Sequence, residues 1–114
     1  MSTNVFVKSG RVTDMENSAT GITSVTTGPW IYKDAPKGAF QIVLTGTGAV
    51  TATVAIELSN DGTNALATPL ATVSLSGTTT VSDGFQSDAS WKYVRLNVTA
   101  LTGTGAAVRG YMSV

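Results

Sequence analysis

Cysteine and histidine are both absent from this chain of 114 residues. Without thiols there is no disulfide framework and no thiolate metal site, and the redox compartment stays open. Without histidine the usual general base, the usual partner of a nucleophilic serine and the commonest zinc ligand are all missing. Charge is scarce too: charged residues make up 12% of the chain, against about 25% in an average globular domain. Seven basic residues balance seven acidic ones. The basic ones, Lys8, Arg11, Lys33, Lys37, Lys92, Arg95 and Arg109, are scattered rather than gathered on one stretch, which argues against nucleic acid as a partner. No apolar run approaches the roughly 18 residues of a membrane span. The start, Met1 to Lys8, lacks the basic opening and apolar core of a signal peptide, so synthesis in the cytoplasm with no membrane partner is expected.

Apolar residues are 42% of the chain but aromatics only 7%, and much of the apolar share is Ala and Val. At about 25 cal/mol per Å² of apolar surface buried, small side chains leave a modest margin over chain entropy. Subunit association can supply the rest. A low-charge surface rich in Thr, Ser and Gly suits a protein that lives inside an assembly; a neutral module of a secreted protein would have the same composition. The length fits one domain.

The clearest pattern is at the end. Trp91 to Ala100 alternates strictly, with Val94, Leu96 and Val98 on one face and Tyr93, Arg95, Asn97 and Thr99 on the other. Leu101-Thr102-Gly103-Thr104-Gly105 follows, and Ala106 to Val114 alternates again, with Ala106, Val108, Gly110, Met112 and Val114 on one face. Two glycines one residue apart suit a short connection, so Trp91–Val114 reads as a long β-hairpin. Tyr93 and Tyr111 would then be cross-strand neighbours near Arg95 and Arg109.

Earlier in the chain, Val5 to Lys8 is a short strand, and Thr13 to Gly21 is polar enough for a surface loop or a flexible arm reaching a neighbouring subunit. Ile22–Thr27 and Trp30–Lys33 are strand-like around Gly28-Pro29. Ala39–Leu44 reads as a central strand with Phe40, Ile42 and Leu44 on one face. Leu44-Thr45-Gly46-Thr47-Gly48-Ala49 then matches Leu101 to Ala106 residue for residue. The repeat suggests two similar four-strand halves facing each other, or else chance reuse of a good turn. Val50–Ser59, Leu70–Ser76 and Thr78–Ser82 complete the pattern, separated by Asp-Gly and Gly turns. No stretch has helical periodicity with a cap, so the fold expected is all-β: an antiparallel, jelly-roll-like β-sandwich of about eight strands with no substantial helix. Residues 1–21 form an N-terminal strand and flexible arm, and 22–114 the β-sandwich domain.

Chemistry is thinly represented. Of the acids Asp14, Glu16, Asp34, Glu57, Asp61, Asp83 and Asp88, all but Glu57 fall in loops or the N-terminal segment, where carboxylates are solvated rather than paired for hydrolysis. The Gly-Thr-Gly runs lead into strands, with no helix N-terminus to hold a phosphate. Asn60, Asp61, Thr63 and Asn64 offer oxygens, but without EF-hand spacing, and Asp61-Gly62 is a strong turn pair, so the loop reads as a turn rather than a calcium site. Asn97-Val98-Thr99 matches a glycosylation acceptor yet lies mid-strand. Trp30, Tyr32, Trp91, Tyr93 and Tyr111 could form a platform for sugar rings, or simply pack on the strands. No catalytic, cofactor or metal residues are assigned, and the chain is read as a non-enzyme.

The runs Ile56 to Asn64, Ala71 to Gly77, Asp83-Gly84-Phe85 and Trp91 to Ala106 together resemble small all-β structural proteins of tailed bacteriophages. The likeness covers Ala39 to the C-terminus; Ser-Asn-Asp-Gly and Trp-x-Tyr-Val-Arg followed by Thr-Gly-Thr-Gly-Ala carry it. What it implies is a capsid decoration or cement protein on the virion surface, a homo-oligomer whose other partner is the major capsid protein, with no cofactor. Two alternatives share the resemblance: a carbohydrate- or receptor-binding module of a phage tail, and a tail or neck structural subunit. Candidate interface residues are Val5, Phe6, Val7, Trp30, Tyr32, Tyr93, Arg95, Arg109 and Tyr111.

Overall fold

A computed structural model describes residues 12–16, 20–33 and 35–114. Val5, Phe6 and Val7 lie outside the described residues. Among those described there is no helix; seven strands form one antiparallel, curled sheet. They are β1 (Val12–Asp14), β2 (Thr26–Thr27), β3 (Ile31–Tyr32), β4 (Gly38–Ser59), β5 (Ala71–Ser87), β6 (Tyr93–Thr102) and β7 (Ala107–Ser113).

β4 is the centre. Along one edge it pairs with β5 over almost its whole length, from Gly38↔Ser87 to Ile56↔Ala71. Along the other edge its second half pairs with β6, from Thr51↔Thr102 to Ser59↔Tyr93, and its first half with β7, from Ala39↔Ser113 to Thr45↔Ala107. β6 and β7 therefore follow one another along β4 and are not each other's partners. The hairpin expected over Trp91–Val114 is corrected accordingly: its Gly-Thr-Gly stretch bends one long path rather than reversing it. Tyr93 and Tyr111 are not cross-strand neighbours either, since Tyr93 stands opposite Ser59 and Tyr32, and Tyr111 opposite Gln41 and Asp14. Likewise the two strands read in Ala39–Ser59 are a single strand, as are the two read in Leu70–Ser82.

The alternation survives the bend. Phe40, Ile42 and Leu44 before it, and Val50, Ala52, Val54, Ile56 and Leu58 after it, are all buried. They join Val73 and Leu75 of β5, Val94, Leu96 and Val98 of β6, and Val108 and Met112 of β7 in one cluster. Phe85 stacks on Phe40 with ring centroids 5.1 Å apart. Residues from both ends of the long strands meet in this cluster because the sheet curls over itself, bringing Leu96 onto the β7 backbone at Gly110.

The bend lies at one level in all three paths. The β4–β5 register shifts between Thr45 and Ala49, opposite Thr79, which sits at φ 68°. Beside it the second copy of the repeat faces the first: the Thr47 N–H donates to the Thr104 carbonyl at 2.8 Å. Thr51 and Thr102 join hydroxyls just below. Gly103, at φ 116°, lies so close to β4 that a Cβ there would come within 2.7 Å of the Ala49 carbonyl oxygen.

Short elements cover the far edges. The Ile22 N–H donates to the Val108 carbonyl, and the Gly28 N–H to the Leu96 carbonyl, each at 2.8 Å, so this segment crosses from the β7 edge to the β6 edge. The Met15 N–H donates to the Gly110 carbonyl at 2.8 Å, and Met15 is fully buried. The surface loop or flexible arm expected over Thr13–Gly21 is thus corrected for residues 13–16. Residues 13 and 14 belong to β1, and Met15 fills core space that the polar composition around it concealed.

Alanine at Gly103 should destabilise the fold by about 3 kcal/mol or more, because left-handed strain adds to a backbone clash. Alanine at Gly48, which has φ 99° but open space around it, should cost about 1–2 kcal/mol from conformation alone. Urea denaturation of the two variants measures the order.

Candidate functional site

Strand alternation turns Tyr93, Arg95 and Asn97 of β6 to the outer face, and register sets Glu57 of β4 directly opposite Arg95. The Arg95 Nε donates to Glu57 Oε1 at 2.7 Å, and Asn97 Nδ2 donates to Glu57 Oε2 at 3.1 Å. The Thr27 hydroxyl donates to Asn97 Oδ1 at 3.3 Å. The Arg95 guanidinium also covers the Trp30 indole, 4.2 Å from its centroid. Arg95 is thereby held by a carboxylate in the sheet plane and by a π face above it, an arrangement its flat, delocalised cation suits. Tyr32 meets Tyr93 edge to face, centroids 5.5 Å apart at 68°. Tyr32 remains 59% exposed, so this patch presents an aromatic rim around a neutralised ion pair.

Arg109 and Tyr111 lie elsewhere, on β7 beside β1. Arg109 reaches Glu16 Oε2 at 3.2 Å and Asp14 Oδ2 at 3.7 Å. Glu16 Oε1 accepts the Gly110 N–H at 2.7 Å, so one buried carboxylate closes the β7 edge where β1 ends. Burial pushes the Glu16 carboxyl above its ordinary value, and the neighbouring Asp14 carboxyl adds to the rise. The described interface residues therefore divide into two clusters: Trp30, Tyr32, Tyr93 and Arg95 in one, Arg109 and Tyr111 in the other.

Two further groups complete the polar inventory. In the loop after β4, Asp61 Oδ1 accepts the Ser59 hydroxyl and the Thr63 and Asn64 N–H groups, and Oδ2 accepts Asn64 Nδ2. These bonds, the Asn64 backbone first, hold Asp61 well below the usual carboxylate range. They are the bonds of a turn that fixes its own carboxylate. Lys33 is buried, its Nζ donating to the carbonyls of Ala35 at 2.5 Å and Ala89 at 2.7 Å. Burial lowers its pKa, and Lys92 contributes to the shift.

Concave space is modest. A groove of about 520 Å³ opens at one end of the sheet, lined by Lys37, Ala39, Gln86, Asp88, Ser113 and Val114 among others. Lys37 and Asp88 give it one charge of each sign. Among the described residues no group of three or more His, Cys, Asp or Glu is placed to hold a metal, and no helix is long and apolar enough to cross a membrane. What the arrangement offers is surface: two clusters whose arginines are paired within the chain.

Sequence reasoning missed Glu57, Glu16 and Lys33 as structural anchors. Glu57 carried a signal, being the one acid set within a strand pattern, on the polar face of Val50–Ser59 as Arg95 is on that of Trp91–Ala100. Glu16 and Lys33 carried none, since burial of a charged side chain depends on distant chain segments.

The chain matches no protein-family model, no curated protein and no solved structure.

Two outcomes follow. Replacing Arg95 with Ala should cost about 1–3 kcal/mol by removing a charge-assisted bond and a cation–π contact, and should change the Trp30 emission spectrum. For Glu16, the raised pKa means the folded chain holds the proton more tightly than the unfolded chain. That stabilisation is fully present below about pH 4.5, the ordinary value, and is lost as pH rises through the raised one. The stability of the native chain relative to Glu16→Gln should therefore fall as pH rises above about 4.5, read by denaturant titration at each pH.

Proposed function

We propose that this protein is a structural component of a tailed-phage virion, a capsid decoration or cement protein made in the host cytoplasm. It is a homo-oligomer that binds on the capsid surface at joints between major capsid subunits. In this reading the two ends of the curled sheet act as the two facing layers of a sandwich. The observation that carries the proposal is the outer surface itself. Glu57–Arg95 and Glu16–Arg109 are paired within the chain, and the exposed charges Lys37, Lys92, Asp83 and Asp88 are two of each sign. Thr and Ser dominate the rest of the exposed surface, with Val12, Val25 and Tyr32 as its large hydrophobics.

Such a surface docks by area and shape and does not depend on a long-range field. Each contact is weak, and repetition over a lattice makes the sum resist internal pressure. The resemblance of Ile56–Asn64 and Trp91–Ala106 to phage structural proteins points the same way. A tail or neck address would use the same surface. A sugar platform fits less well, because the rings of Tyr32 and Tyr93 cross at 68° and Arg95 occupies a face of Trp30.

Mixing the purified protein with capsids stripped of accessory proteins, then pelleting, tests the proposal. Co-sedimentation should saturate at a fixed ratio per capsid subunit, and Tyr32→Ala should weaken it about tenfold, as loss of an interface aromatic does, with circular dichroism showing the variant folded. Absence of binding to capsids, together with binding to host glycans, would replace the reading with the tail module.

A further inference from the structure

The two sides of the β4 spine are treated differently. β6 and β7 have their outer edges partly covered, β7 by β1 and Ile22, β6 by β2 and β3. β5 pairs only with β4, and along its 17 residues the opposite edge has no partner among the described residues. A strand edge of that length presents a row of backbone donors and acceptors, a template for another strand.

Free edges are ordinarily guarded by Lys, by Pro, by shortness or by an inward-pointing charge. β5 contains neither Lys nor Pro, and it is the second longest strand. Its one charged residue is Asp83, which shares a face with Val81 and Phe85, opposite the buried Ile42. That guard protects the half beyond Thr79. The half before it, Ala71–Thr78, has no charge at all.

We propose that the edge of Ala71–Thr78 pairs antiparallel with the same edge of a second copy, about a two-fold axis at Ser74. An isologous contact about this axis sets Ser74 against its own copy, Val73 against Leu75 and Thr72 against Ser76, so like charges along the edge would repel one another. This edge has nothing to repel. Antiparallel pairing of like strands keeps Val73 and Leu75 of both copies on the inner side and Thr72, Ser74 and Ser76 on the outer, so the sheet continues through the axis with its faces matched. Asp83 limits the pairing to this half, and the left-handed turn at Thr79 marks the boundary.

The inference rests on the self-association in the reading above and names its surface. Its test uses the isolated protein, so failure to bind capsids and failure to dimerise are separate results. Light scattering across a dilution series should give a mass of twice 11.7 kDa. The double variant Thr72→Lys, Ser74→Lys should weaken the dimer about tenfold or more, through like charges brought face to face. Gln86→Lys, on the guarded half, should leave it intact, and circular dichroism should show all three chains folded. A single-chain mass at every concentration, a dimer indifferent to the two lysines, or equal dissociation by Gln86→Lys would each overturn the proposal. So would a monomer whose Ala71–Thr78 amides resist exchange, since another segment would then occupy the edge.

Discussion

Two identical six-residue runs, Leu44–Ala49 and Leu101–Ala106, lie side by side and let long strands bend where strands of this length would otherwise run on as a flat ribbon. A two- or three-stranded ribbon has no interior: each face meets water and the apolar face stays uncovered. Bending at a common level folds that face onto itself. The condition is close backbone approach, met by Gly103 against the Ala49 carbonyl and joined by the Thr47–Thr104 hydrogen bond. β5, which lacks a copy of the run, follows with a single threonine in the left-handed region, a conformation costly for a β-branched side chain and tolerated because its neighbours demand it.

Once the sheet is curled, the rest is edge management. The small side chains of the core suffice because both ends of β4 contribute to one cluster. The segment through Ile22 and Gly28 ties the β7 edge to the β6 edge, and Glu16 completes the hydrogen bonding where β1 stops. Several charges are spent locally. Glu57 and Arg95 neutralise each other across adjacent strands, and Asp61 is consumed by its own turn. A surface built this way has little electrostatic reach, which is the physical basis for reading it as one made to be covered by neighbours in a lattice.

The all-β class and the inward faces were legible because alternation is a local property: Val94, Leu96, Val98, Val108 and Met112 are buried as their spacing requires. Pairing was not, because a Gly-Thr-Gly stretch between two alternating runs has the same local appearance whether the chain reverses or bends. Only the third strand, β4, decides between them, by offering each run a partner. The same limit hid Met15 and Glu16, whose burial depends on β7 nearly a full chain length away. Of the surface patch, the aromatic and arginine residues could be named in advance. Their division between the two ends of the sheet could not, since it follows from β6 and β7 lying in sequence along β4.

The central claim is that β4 is one continuous spine shared by both ends of the sheet. Amide hydrogen exchange resolved by residue tests it most directly. Amides of Phe40–Leu44 and Val50–Leu58 that bond within the sheet should share the slowest rate with those of β6 and β7, because no part of the core opens without the whole. Slow exchange confined to Tyr93–Ser113, with Phe40–Leu44 exchanging fast, would mean an independent hairpin and would contradict the account.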